Sequence, residues 1–151
     1  MPRSDERARD PLECATPHSL FIVNPLPPDI RLVFEDRADY LHVAVSGPRD
    51  SQEISKAYWV RIAEECQQRG TRKLMVVENL GDFEGDRDLP TTVDFLFELG
   101  LDKLQVAFVV GRIELLAHME HGEILALERG ARGRVFGSEA VAERWLRHGA
   151  A

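Results

Sequence analysis

The third predicted helix carries a set of potential metal ligands. Glu114, His118 and His121 recur at helical spacing, so their side chains fall on one face of that helix. Imidazole and carboxylate groups in such an arrangement are typical ligands for zinc and similar ions. However, the segment is not a metalloprotease motif, and no further ligand can be named. The pattern therefore favours a solvated helix face, and the sequence predicts neither a metal nor a cofactor.

A second group of acidic side chains follows the third predicted strand. Its members are Glu78, Asp82, Glu84, Asp86 and Asp88. Their spacing is not that of a calcium loop, and the glycines between them lack the spacing and the lysine of a phosphate-binding loop. We expect residues 78–88 to form a solvated polar loop. Phe83 in its middle is expected either to fold back on the core or to contact a partner.

Nucleophilic catalysis finds little support in the sequence. There is no Gly-x-Ser-x-Gly elbow, and Cys66 has no histidine close by in sequence; His18 lies four residues after Cys14, in the irregular arm. Cys66 lies on a helical apolar stripe with Ile54, Tyr58 and Ile62, which predicts a small core residue. We therefore predict no catalytic residue, although partners brought together in space stay open.

Composition narrows the classes of partner. The chain has 151 residues, enough for one domain, and a formal net charge of −7 from 26 acidic and 19 basic residues. No basic stripe is visible that would bind nucleic acid or an anionic membrane surface. No apolar run approaches the ~20 residues of a spanning helix. Two unpaired thiols suit a reducing compartment, so we expect a cytoplasmic protein.

The order of elements predicts the fold. Six prolines mark residues 1–29 as an irregular arm, and residues 30–148 are expected to form a single α/β domain. Predicted strands cover residues 30–35, 40–46, 74–77, 104–110 and 134–136, and predicted helices cover residues 51–69, 89–99, 112–129 and a last segment after Ser138. The first two strands form a hairpin, with Leu41, Val43 and Val45 on one face. The order ββαβαβαβα predicts a mainly parallel mixed sheet of about five strands with about four helices.

Several short segments carry a family resemblance. They are Ala-Leu-Glu-Arg-Gly-Ala at 126–131, Arg-Val-Phe at 134–136, Ala-Glu-Arg-Trp-Leu at 142–146, and Val-Ala-Phe-Val-Val at 106–110. Together with the element order, they resemble the SpoIIAA-like family, which is related to the STAS domains of anti-sigma-factor antagonists and sulfate transporters. The resemblance covers roughly residues 30–146.

The resemblance implies two modes of action. In the antagonists, phosphorylation of a Ser or Thr beside an Asp, at the start of the helix after the third strand, switches binding to a kinase-like anti-sigma factor. This chain departs from that pattern: residues 78–85 contain no such pair, and Thr91 and Thr92 are the hydroxyls near the helix start. SpoIIAA-like domains also look similar to the lipid-binding SEC14 fold, which implies an apolar ligand between sheet and helices.

The leading hypothesis is a non-enzymatic domain that binds a protein partner or forms a homodimer. Its expected contact residues are Asn79, Asp82, Phe83, Thr91 and Thr92, together with Trp59, which either broadens the core face of its helix or anchors a partner. The main alternative is a carrier or sensor of a small apolar, lipid-like ligand, which predicts an enclosed pocket between the sheet and the second and third helices. An enzyme with a site assembled from loops is a third hypothesis, and it predicts polar groups with perturbed pKa values in a cleft.

Overall fold

A computed structural model describes residues 25–149, so most of the predicted arm and Cys14 lie outside the described residues. Within that range the chain forms five strands and four α-helices. The strands are β1 (Arg31–Asp36), β2 (Leu41–Ser51), β3 (Lys73–Glu84), β4 (Gln105–Val110) and β5 (Arg132–Phe136). The helices are α1 (Gln52–Arg69), α2 (Leu89–Glu98), α3 (Ile113–Glu128) and α4 (Glu139–His148), with a 3₁₀ turn at Leu101–Lys103.

The strands form one sheet in the order β1-β2-β3-β4-β5. β1 pairs antiparallel with β2, and every other pair is parallel. This mixed sheet with four helices confirms the predicted fold class. The predicted hairpin is confirmed as well, because Leu41, Val43 and Val45 all point into the core beneath α1.

Each face of the sheet has its own apolar cluster. Helices α1 and α2 cover one face, where Ile54 and Ile62 pack on Leu74 and Val76. Helix α4 covers the other face, where Trp145 packs with Met75, Ala107 and Phe136. Cys66 is buried in the first cluster, as predicted from its place on the helical stripe. Caps fix the helix starts: Ser51, Asp88 and Ser138 each accept a hydrogen bond from the first turn of their helix.

Strands β2 and β3 extend beyond their predicted ends, which corrects the expected loop at residues 78–88. The pair continues in register from Gly47–Leu80 to Ser51–Glu84, so Glu78 to Glu84 are strand residues. Pro48 is tolerated because β1 stops pairing at Ser46, which makes this part of β2 a sheet edge that needs no amide donor. The sequence does not predict this part of the strand, because its residues do not form the continuous apolar run that marks the centre of the sheet.

Helix α3 packs less deeply than the other helices. It contacts β5 and α2, touches β4 only slightly, and has no buried residue. Ile113, Ile124 and Leu127 on this helix are exposed. The helix therefore leaves a space above β4. No helix among residues 25–149 has the length and apolar character needed to cross a bilayer.

Candidate functional site

A cavity of about 140 Å³ lies in that space, between the sheet and helices α1, α2 and α3. Aromatic and aliphatic side chains supply most of its wall. The aromatic ones are Tyr58, Trp59, Phe83, Phe97 and Phe108, and the larger aliphatic ones are Leu89, Val93, Leu96, Leu101, Leu104, Val106, Met119 and Val135. The position matches the pocket that the ligand-carrier hypothesis predicts between the sheet and the second and third helices.

The shallow packing of α3 explains why the cavity forms. The residues of α3 that reach the cavity include Gly122 and Ala126, whose small side chains cannot fill the gap above β4. Below them, Val106 and Phe108 on β4 stay only partly buried. Phe108 rests against Trp59 of α1, with ring centroids 5.9 Å apart. Rings from three directions therefore surround one space that no side chain of the described residues occupies.

Polar side chains converge at one end of the cavity, near the carboxyl ends of β2 and β4. They are Asp50, Ser55, Tyr58, Glu78 and Arg87. Asp50 is 2% exposed and Glu78 is 5% exposed, so both carboxyls are almost fully buried. Ligand sites of α/β folds are typically found at this edge of a parallel sheet.

Few hydrogen bonds or ion pairs offset the cost of burying these two carboxyls. Asp50 Oδ1 accepts a 2.7 Å hydrogen bond from the backbone nitrogen of Ser51, and Glu78 Oε2 accepts a 3.3 Å bond from that of Leu80. Arg87 Nη1 comes no closer than 4.0 Å to Asp50 Oδ2. Instead the guanidinium of Arg87 stacks on Phe83, 4.1 Å from the ring centroid.

Burial raises the pKa of Asp50, Glu78 and Tyr58 at this end of the cavity. The pKa of Asp50 is raised by desolvation, against the opposing pull of its Ser51 hydrogen bond and of Arg87. The pKa of Glu78 is also raised, first by desolvation and then by the charge of Asp50. Complete burial raises the pKa of Tyr58, and the two carboxylates raise it further. These are the perturbed groups in a cleft that the enzyme hypothesis predicts, and a ligand-binding site would have them too.

The residues predicted to contact a partner fall into two sets: those that line the cavity and those that are exposed on β3. Trp59 is 4% exposed and belongs to the core, so it offers no surface to a protein and faces the cavity instead. Phe83 is half-buried and also lines the cavity, with Arg87 stacked on it. Asn79 and Asp82 are exposed on β3, and Asp82 pairs with Arg112 at 3.1 Å.

Thr91 and Thr92 are engaged within the first turn of α2. The Thr91 hydroxyl donates to Asp88 Oδ2 at 2.7 Å, and the Thr92 hydroxyl donates to the Asp88 carbonyl at 3.0 Å. Gln52 of α1 donates to the Thr92 hydroxyl, which ties the two helix starts together. Both threonines thus have a structural role at the cap of α2.

Asp50, Tyr58 and Glu78 are functional candidates that the sequence did not single out. Tyr58 was expected only as a core residue. Glu78 was expected to be solvated, which is wrong because strand alternation turns it inward with Leu80. The signal available in the sequence was its position: an acid directly after a buried strand falls at the edge where parallel strands end.

The possible metal ligands on α3 do not form a centre. Glu114, His118 and His121 are exposed, and the two histidines border a shallow groove with Leu89 and Pro90. Among residues 25–149, no group of three His, Cys, Asp or Glu side chains is arranged to hold a metal ion.

Comparison with known proteins gives a match to a solved structure. No family model and no curated protein matches the chain. A solved structure that is similar is an uncharacterised protein of the DUF3478 family with a SpoIIAA-like fold, from Shewanella loihica PV-4. Its sequence identity is 14% and the TM-score is 0.47, with 78% of this chain and 93% of that chain covered. The match gives no information on ligand, partner or activity.

Proposed function

We propose that this chain is a non-enzymatic, cytoplasmic domain that binds a small apolar molecule in the cavity between its sheet and helices α1–α3. The cavity itself carries the proposal, because aromatic and aliphatic side chains form most of its wall and polar groups converge at one end. Small-molecule sites in proteins have this composition: a mostly apolar wall with a few polar groups that fix orientation. The alternative hypothesis from the sequence thereby becomes the leading one.

The size of the cavity limits the ligand. An apolar protein cavity of about 150 Å³ accommodates benzene, and the cavity here has about 140 Å³. A single ring or a chain of a few carbons fills this space. We therefore propose a ligand of that size, smaller than the lipid-like molecules implied by the SEC14 similarity.

Filling the cavity tests the proposal. Ala126 on α3 is half-buried and lines the cavity, whereas Ala117 on the same helix is exposed and does not. Ala126→Phe should weaken the binding of benzyl alcohol by about tenfold or more, because its ring occupies the site. Ala117→Phe should bind as the wild type does. Isothermal titration measures both, and equal affinity of the two variants would contradict the proposal.

Protein contact through residues 79–92 is a second candidate, favoured by a free strand edge. The last pair between β3 and β4 is Glu78–Val110, and within the described chain residues 79–84 of β3 pair only with β2. An unpaired edge can accept a strand from another chain. Asn79 and Asp82 are exposed there, although Arg112 covers the carbonyl of Gly81.

Self-association would use this edge in both copies. If it does, the wild type should sediment as a dimer in analytical ultracentrifugation, and Asp82→Arg should shift it to the monomer by placing a second cation beside Arg112. A wild type that stays monomeric at high concentration would rule out the homodimer.

A further inference from the structure

The charges at the inner end of the cavity do not balance. Among the lining residues at that end, two carboxyls, Asp50 and Glu78, stand with one guanidinium, Arg87, which gives a net charge of −1 when all three are ionised. Arg112 acts on both carboxyls from outside the lining and offsets part of this charge. Charged residues at the opposite end, such as Arg132 and Arg134, reach solvent, where water screens them. The inner end is shielded from water, so its excess negative charge acts at short range on whatever occupies the cavity.

Both carboxyls keep capacity for another donor. In the described part of the chain, hydrogen bonds reach one oxygen of each: Ser51 donates to Asp50 Oδ1, and Leu80 donates to Glu78 Oε2. An ionised carboxylate accepts several hydrogen bonds, so one backbone donor leaves most of that capacity unused. The other oxygen of each carboxyl accepts no hydrogen bond from residues 25–149 and can accept one from a bound ligand.

The two neighbouring arginines make their closest contacts with other groups. Arg87 stacks on Phe83 and stays 4.0 Å from Asp50, beyond hydrogen-bonding distance. Arg112 does not line the cavity, and its two terminal nitrogens bond Asp82 at 3.1 Å and the Gly81 carbonyl at 3.2 Å. Asp50 therefore has one long ion-pair contact, to Arg87, and Glu78 forms no salt bridge with any residue in the range 25–149.

Resting on the proposed function, we infer that the ligand is a compact amine whose ammonium group lies between Asp50 and Glu78 and whose ring or short chain lies among the cavity aromatics. An ammonium group donates three hydrogen bonds and accepts none, which suits two carboxylates. Charge-assisted bonds of this kind are about twice as strong as neutral ones. The Tyr58 ring, which also lines the cavity, adds favourable cation–π surface.

Three probes of one size and different charge test the inference: benzylamine, benzyl alcohol and benzoate. Titration calorimetry near neutral pH should give benzylamine a dissociation constant about tenfold lower than that of benzyl alcohol, with benzoate weakest. Glu78→Gln, which keeps an acceptor for Leu80, should bring the amine-to-alcohol ratio close to one. Glu84→Gln removes an exposed carboxylate from the same strand and should leave the ratio unchanged.

The outcomes separate the inference from the proposed function. Binding of benzyl alcohol without preference for benzylamine, or tighter binding of benzoate, would overturn the amine and keep the cavity as a binding site. Absence of binding by all three probes would overturn both. Asp50→Asn repeats the test if Glu78→Gln fails to fold, and thermal melts identify such a failure.

Discussion

Asp50 and Arg87 lie close together without forming a hydrogen bond: Oδ2 of the acid is 4.0 Å from Nη1 of the arginine. Both side chains are largely buried, with exposures of 3% and 14%. The guanidinium of Arg87 stacks on Phe83. Its positive charge lowers the pKa of Asp50 but does not cancel the rise that desolvation causes. The polar end of the cavity is therefore destabilising for the folded protein when its carboxyls are ionised, as functional sites often are.

Stability should depend on pH through Asp50 and Glu78. Burial raises the pKa of both carboxyls in the folded state, so folding binds protons there. Their contribution to stability is fully present below the unfolded carboxyl pKa of about 4 and is lost as pH rises through the folded value. Arg87, Arg112 and Tyr58 face the same groups and do not reverse this sign, since desolvation is the largest cause.

Replacing both acids should remove the loss of stability that occurs as the pH rises. We expect Asp50→Asn/Glu78→Gln to have a higher melting temperature than the wild type at about pH 8, and the difference to shrink as the pH falls toward about 4. Calorimetric melts across this range measure it, with Glu84→Gln as an exposed control. A difference that does not vary with pH would contradict buried, ionised carboxyls.

The extension of the β2–β3 pair depends on Gly81. A Cβ atom at this position would overlap the backbone carbonyl of Pro48, which cannot move aside as a flexible side chain can. Gly81→Ala should therefore destabilise the fold by about 3 kcal/mol, at the upper end of overpacking costs. At Gly137 a Cβ atom would make an ordinary 3.7 Å contact with Leu116, so Gly137→Ala should cost far less.

Urea unfolding compares these two glycine variants directly. Equal stability of the two would mean that the strands separate easily beyond Ser46, and that the polar end of the cavity is not held by backbone pairing.

The centre of the sheet could be predicted from the sequence, and its margins could not. Apolar runs such as residues 74–77 and 106–110 mark strands that are buried on both faces, and their helical connections impose the parallel order. Residues 47–51 and 78–84 continue the same register except at Pro48 and Gly81, but most of their side chains are polar or glycine, with Leu80 and Phe83 as large apolar exceptions. Hydrophobic periodicity carries no signal for such an extension.

The residue pattern by itself could not predict the cavity, and a pocket at this position was expected only from the family resemblance. Tyr58 and Trp59 are typical core residues, and nothing in their spacing shows that α3 packs too shallowly to cover them. That gap depends on how small residues such as Gly122 and Ala126 meet β4 across a distance in sequence of more than ten residues, which is a property of three-dimensional packing.

Cys66 should be chemically inert in the folded protein. Burial raises the pKa of its thiol to about 12, so almost no reactive thiolate exists at neutral pH. In a Cys14→Ser variant, where Cys66 is the single thiol, Ellman's reagent should react only as fast as the protein opens, and denaturant should accelerate the reaction. Fast, complete labelling under native conditions would show that the first apolar cluster opens readily.

The central claim is that a small molecule binds between the sheet and helices α1–α3, and the two tryptophans provide the most direct test. Trp59 lines the cavity, whereas Trp145 packs on the opposite face of the sheet beside Phe136. In ¹H–¹⁵N spectra, titration with benzyl alcohol should move the indole N–H signal of Trp59 saturably and leave that of Trp145 in place. If neither signal moves, or both move together without saturation, the cavity is not a binding site.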